Sequence, residues 1–359
     1  MGRVERMENV SVQQHSGAVA PRTRATPAGP KVPPPLAAAE RVSAGTAPSV
    51  PTPALVAPEL ERDEPGTQAI RRVLRQQVKK ALDALERTPL SDEAVHSARK
   101  DLRRARATLR LLREALGRRI YSRENASLRD IARPLSRMRD GKVLSDQLET
   151  LLQRGGTAAR AWPLEALRRE LKREHHAARR QLLRNRDGLR LQVDVLRHVY
   201  ERSARWRVGY HSWSILGAGL RHVYARGRKH LTLAAARRSS ENLHEWRKQT
   251  KYLWHQLQLL RPLWPGLIGE LADQAHKLAD YLGDDHDLAV LRQRLIDHGD
   301  LVPSRAARSA LIALIDQRRT ELEDKAFVLG ERIYEERAPA FAERIGRYWR
   351  DWHRAQVKN

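Results

Sequence analysis

From Thr67 to the end of the chain, apolar residues recur three and four positions apart, as in "IRRVLRQQVKKALDAL" (Ile70 to Leu85) and "ALRRELKREHHAARRQLL" (Ala166 to Leu183). This is the period of helices that bury one face, and the abundant Leu, Ala, Arg and Glu favour helix. No stretch alternates convincingly with the period of two that a half-buried strand requires. Breaks at "ERTPLSDEAV", "QRGGTAARAWP", "RNRDG", "RPLWPG" and "DHGDLVPS" predict loops between the helices. The pattern predicts an all-α bundle.

Residues 1–66 read differently. They hold eleven of the eighteen prolines, no aromatic residue and no sustained period, which predicts a disordered arm. The arm carries seven basic and seven acidic residues, so the whole net charge of +25 belongs to residues 67–359. A charge of that size exceeds what solubility needs and points to a polyanionic partner. Nucleic acid, an acidic membrane surface and inorganic polyanions all remain open at this level.

Two helical stretches concentrate the charge, "VHSARKDLRRARATLRLLR" (Val95 to Arg113) and "LHEWRKQTKYLWHQLQLLR" (Leu243 to Arg261). At about 100° per residue, His96, Arg99, Lys100, Arg103 and Arg110 share one stripe of the first. Val95, Ala98, Leu102, Ala105, Leu109 and Leu112 form an apolar face opposite. In the second, the stripe holds His244, Arg247, Lys248, Lys251 and His255, while Leu243, Trp246, Leu253, Leu257 and Leu260 face the core. Trp246 and Trp254 are then expected to pack rather than to stack on bases. A charged stripe is ordinarily a solvated face, but such faces mix signs, and neither stripe contains an acid.

The two stretches align at an offset of 148 residues: His96 on His244, Arg99 on Arg247, Lys100 on Lys248 and Arg103 on Lys251. Sixteen residues upstream of each histidine stand Lys80 and Arg228. Downstream, "RDGKVL" aligns with "HDLAVL" at an offset of 147, placing Asp140 on Asp287 and Val143 on Val290. A repeat of this length predicts two tandem halves, about 67–210 and 211–359, related by pseudo-twofold symmetry. Packed together, they could set both basic helices along one groove, with Lys and Arg offering charges and planar forks to phosphate oxygens.

At these residues the chain resembles the CHAD domain, the conserved histidine α-helical domain, over residues 67–359. The resemblance rests on "VHSARKDLRRAR", "LHEWRKQTKYLW", "GRKHL" and "LGDDHDLAVL" in that order. It implies two pseudo-symmetric four-helix halves around a basic groove that binds inorganic polyphosphate and directs proteins to polyphosphate granules, without catalysis. The family pattern carries over to His96, Arg99, Arg103, Arg104 and Arg106 in the first half. In the second it falls on His244, Arg247 and Lys251, with Lys80, Arg228 and Lys229 as further groove residues. Tyr252 and Trp254 stand where Arg104 and Arg106 would repeat, which implies weaker binding by the second half.

Other chemistries find little support. The letters "ELEDK" (Glu321 to Lys325) match the E-x-E-x-K of a triphosphate-tunnel enzyme, but they sit in a helical period, where Glu321 and Lys325 form an ordinary ion pair. "DDHD" (Asp284 to Asp287) points its side chains in different directions and suggests cross-helix hydrogen bonds or capping rather than a metal site. "EHHAARR" lacks the zinc-hydrolase spacing, and no P-loop or nucleophile elbow occurs. The expectation is a non-enzymatic protein without cofactor or metal. The absence of cysteine excludes thiol chemistry and disulfides. With no membrane-length apolar run, no signal-peptide core and no myristoylation site, the chain is expected to be cytoplasmic, associated with granules. Weak, nonspecific nucleic-acid association is expected as a side property.

Overall fold

Two serines start the two basic helices in the same way. In the computed structural model, which describes residues 60–61, 64, 66–208 and 213–354 apart from the side chains at 137–140, 158 and 186, Ser91 Oγ accepts the Ala94 amide at 3.2 Å. Ser239 Oγ accepts the Asn242 amide at 3.2 Å. Each hydrogen bond satisfies an orphan donor of a first turn. The serines stand 148 residues apart, so the repeat extends to the caps.

The first half runs α1 (Gly66–Leu85), α2 (Asp92–Leu111), α3 (Arg113–Arg154), the short α4 (Gly156–Arg160), α5 (Glu165–Arg184) and α6 (Arg186–Ala204). The second runs α7 (Trp213–Ala236), α8 (Ser240–Leu260), α9 (Pro265–Asp297), α10 (Arg305–Ile333) and α11 (Ala338–Arg354). There is no strand among the described residues. Each half contains the expected four helices, α1, α2, α3, α5 and α7 to α10. Each also adds a further long helix, α6 or α11, which packs on the first helix of its half, and the first half has the short α4 besides. The predicted breaks coincide with helix boundaries, but "QRGGTAARAWP" contains α4 and within "RNRDG" only Asn185 lies outside a helix.

The halves are not independent. One core draws on both, with Leu102 and Leu109 of α2, Trp246 and Leu253 of α8, and Leu128 of α3 all at 0% exposure. A second core joins the far ends of α3, α5, α9 and α10 through Leu148, Leu167, Leu291 and Leu311. Burying each such side chain contributes about 1.5–3 kcal/mol relative to exposure. All six residues assigned to the apolar face of the first basic helix are buried. Trp246 stacks on Phe327 at 5.4 Å between ring centroids, as a packing residue. Trp254, half-buried, packs on the same core with His276 3.9 Å away.

The arm expected over residues 1–66 lies almost wholly outside the described residues. Its described end belongs to the domain: Leu60 is buried in the main core, and Glu61 and Glu64 pair with Arg72 at 3.1 and 2.7 Å.

The repeat register slips before the caps. Buried Ile70, Leu74, Val78 and Ala81 of α1 correspond to buried Leu216, Leu220, Tyr224 and Gly227 of α7, an offset of 146 rather than 148. The equivalent of Lys80 is therefore Arg226, not Arg228. The slip arises at the ends of these helices: at an offset of 146 Leu85 matches Leu231, so α7 runs five residues further than α1 before a connection three residues shorter, a net gain of two.

Candidate functional site

The two basic helices pack directly on each other, and Gln256 Nε2 of α8 donates to the Ala107 carbonyl of α2 at 3.0 Å in the buried crossing. On the N-terminal side of that crossing a groove opens. Its floor is α2 and α8, and its walls are α3 and α9.

One chamber of the groove, about 310 Å³, is lined by Arg99, Arg103 and Arg106 from α2 and by His244, Arg247 and Lys251 from α8. Lys248 also lines it, Arg129 enters from α3, and no carboxylate is among its lining residues. A second chamber of about 330 Å³ shares Arg99, Arg103, His244 and Arg247 and adds His286 and Asp287 from α9. A third, about 380 Å³, is reached through Arg99 and holds His96, Lys142 and His175 beside Asp92, Glu93 and Asp146. The groove thus runs from a wholly cationic end to one of mixed charge.

Small residues let the cations lie flat against the walls. Gly283 of α9 has Arg247 against it: a Cβ there would stand 3.0 Å from Arg247 Nη2 and 3.2 Å from Nε. Ser136, its counterpart at the offset of 147, lies beside Arg99 in both of the first two chambers. The aligned Val143 and Val290 both line the second chamber. The repeat landmarks downstream of the stripes are therefore groove walls.

Two groove histidines, His244 and His286, are disfavoured as cations. Burial lowers the His244 pKa, helped by Lys248 and Arg247. Burial, then His244 and Arg247, lowers His286 to about 4. An anion entering between them would favour their protonated forms.

The CHAD domain family matches residues 68–296. The chain belongs to the CHAD family. Among solved structures it is similar to the crystal structure of the CHAD domain from the plant Ricinus communis, with TM-score 0.48 and 17% identity over 74% of this chain and 93% of that one. No curated protein matches the sequence. In this CHAD chain, α10 and α11 follow the matched segment and complete the second half.

Several candidates, some from the basic stripes and some from the CHAD pattern, are placed differently from expectation. Arg110 is not a groove residue: it stacks 3.6 Å over the Tyr252 ring and donates to the Arg106 carbonyl at 2.6 Å. Burial lowers its pKa. Arg104 faces Asp101 at 3.4 Å, and Lys100 is exposed on the outer side of α2. Lys80 lines a different groove, against α6. Arg228 and Lys229 line none of the three chambers. Lys248 does line the first chamber, but it is also bonded to Glu245, an acid at the margin of a stripe read as purely basic. His255 is buried rather than displayed, and burial followed by Arg103 and Arg104 lowers its pKa well below the ordinary value.

The structure also adds residues. Arg129, Ser136, His286 and Asp287 line the groove from α3 and α9, and the last two belong to the "HDLAVL" landmark. Tyr252, 7% exposed, lies beneath the chamber with Arg106 5.8 Å and Arg110 3.6 Å over its ring. Where the repeat lacks an arginine, an aromatic ring supports those of the other half.

The rejected motifs have ordinary roles. Asp284 accepts from Gln147 at 2.9 Å and Asp285 from Arg319 at 2.8 Å, both across helices. Asp284 to Asp287 lie inside α9, so they cap no helix end. "ELEDK" is part of α10, where Glu321 pairs with Arg318 at 2.8 Å. Among the described residues no group of three His, Asp or Glu is placed to hold a metal ion, and no helix is long and apolar enough to cross a membrane.

Proposed function

We propose that this CHAD domain binds inorganic polyphosphate in the groove between α2 and α8, acts by binding rather than catalysis, and directs the chain to polyphosphate granules. The supporting observation is the 310 Å³ chamber in which cations from both halves converge with no carboxylate among its lining residues. Arranged cations of one sign raise each other's electrostatic energy. A polyanion that bridges both halves relieves that repulsion at several points together.

Inorganic polyphosphate suits the chamber better than nucleic acid. Single-strand binders stack bases on accessible rings, whereas Trp246 is fully buried and Tyr252 is covered by arginine. Duplex readers need side chains that reach base edges in a groove, and these cations line a concave channel between helices.

The test is binding of labelled long-chain polyphosphate to the purified full chain at physiological salt. Competitors are single-stranded DNA, duplex DNA and RNA at equal phosphate concentration. Polyphosphate is expected to prevail by at least about tenfold; equal competition by nucleic acid would replace the ligand in this proposal. In cells, a labelled chain should collect on polyphosphate granules and disperse when the polymer is removed.

A further inference from the structure

Lys80 leads to a second basic surface. The groove it lines, about 350 Å³ between α1 and α6, also contains Arg71, Arg75, Gln76, Lys79 and Tyr200. Two of these cations are held in place by the fold. Arg75 lies 4.5 Å over the Tyr200 ring, and Arg71 donates to the Trp206 carbonyl at 2.9 Å. The one carboxylate in the lining, Glu64, is already engaged by Arg72 at 2.7 Å. Lys79 pairs with the exposed Asp83; such a surface pair is worth little, so an incoming phosphate can displace it.

A cationic crossing links this surface to the central groove. Arg104 of α2 pairs with buried Asp101 at 3.4 Å, and Lys80 of α1 and Lys100 of α2 lie near enough to act on the same carboxylate. Asp101, 5% exposed, offsets part of the Arg104 charge, leaving Lys80 and Lys100 as the uncompensated members. Arg103, in the central chamber, immediately precedes Arg104 in sequence. A chain passing over α2 therefore meets Arg104 and Lys100 next and then Lys80 on α1. Packed helix axes stand about 8–10 Å apart, so the crossing is short.

We propose that a phosphate polymer leaving the central groove crosses α2 and occupies the α1/α6 groove as a second binding site, so that long polyphosphate is held at both. The proposal rests on the polyphosphate reading of the central groove and extends it. A chain that fills both grooves gains from the high effective concentration of its second segment. A chain that fills only the central one does not.

The experiment compares tripolyphosphate with long-chain polyphosphate on the full chain and on a Lys79→Glu, Lys80→Glu variant. A Lys79→Gln, Lys80→Gln variant supplies a milder change, and circular dichroism verifies each fold. Tripolyphosphate affinity should stay within about threefold of wild type, because the central chamber is untouched. Long-chain affinity should fall by at least about tenfold in the glutamate variant, less in the glutamine variant, and its salt dependence should become shallower. Wild-type long-chain affinity and salt dependence in both folded variants would overturn the second site while leaving the central groove standing. A wild-type protein that binds neither polymer would overturn the polyphosphate reading and this extension together.

Discussion

His244 of α8 and His286 of α9 face each other in the groove with ring centroids 4.5 Å apart and planes tilted by 45°. Arg99, Arg103 and Arg247 share their chamber, with Lys248, Lys251 and Arg319 acting on one or other ring, and Asp287 is the carboxylate that lines it. Burial, followed for His244 by Lys248 and Arg247 and for His286 by His244 and Arg247, lowers both pKa values, while Glu245 acts against the shift at His244. A bound polyanion reverses the local field.

Polyphosphate binding should therefore take up protons and tighten as pH falls from 7 toward 5. Calorimetry in buffers of different ionisation heat measures the uptake directly. His244→Gln with His286→Gln should remove most of it. Without ligand the sign is the opposite: between the ordinary value of 6.5 and about 4, the unfolded chain accepts a proton that folded His286 refuses. Stability of the unliganded protein should fall as pH drops through that window.

Replacing Arg99, Arg103, Arg247 and Lys251 together by Glu should lower polyphosphate affinity by at least about a hundredfold, since charge-assisted contacts become repulsive. All four lie on the groove rather than in either core. Helix content should be retained. Binding by the correctly folded variant at wild-type strength would show that the site lies elsewhere.

Gly283→Ala separates binding from stability. The added Cβ meets the far end of the Arg247 side chain at 3.0 Å, which can swing away. Alanine in a helix interior is also favoured over glycine by about 1 kcal/mol. The melting temperature should hold or rise while affinity drops several-fold, because Arg247 loses its seat. A variant with unchanged affinity would show that this seat is dispensable.

Arg319→Gln should cost about 3–5 kcal/mol, because it strips the partner from Asp285, which is 1% exposed and bonded to Arg319 at 2.8 Å. Chemical denaturation reads the loss. Nearby Glu323 is raised to about 7, by burial and then by Asp285. Between its ordinary value of 4.5 and about 7, folded Glu323 keeps a proton that the unfolded chain has lost. Its stabilising contribution is thus lost as pH rises through that window, opposite in direction to His286.

The apolar faces of α2 and α8, their loops and their repetition are all visible along the chain, because helical period and turn chemistry are local. The same logic misassigned Arg110 and His255. A helical wheel gives the side on which a residue stands and says nothing of the neighbour that covers it. Tyr252 lies beneath Arg110, and burial takes His255 out of the displayed stripe. Lys80 was displaced for a different reason. Counting back from the histidines crosses helix ends and connections of unequal length in the two halves, so the register of α1 against α7 cannot be carried through them.

The amino-acid sequence alone determined the all-helical class, the doubled basic helix, the excess charge of residues 67–359 and the family resemblance. Each depends on residue type and spacing within about one helix or on one repeat period. Only the tertiary structure decided which cations converge. That α3 and α9 wall the groove, that Arg129, His286 and Asp287 enter it, and that Lys80 faces a second one depend on which helices pack together. Packing is set by complementary volumes across distant segments, where Gly283 makes room for Arg247 and Tyr252 supports Arg110.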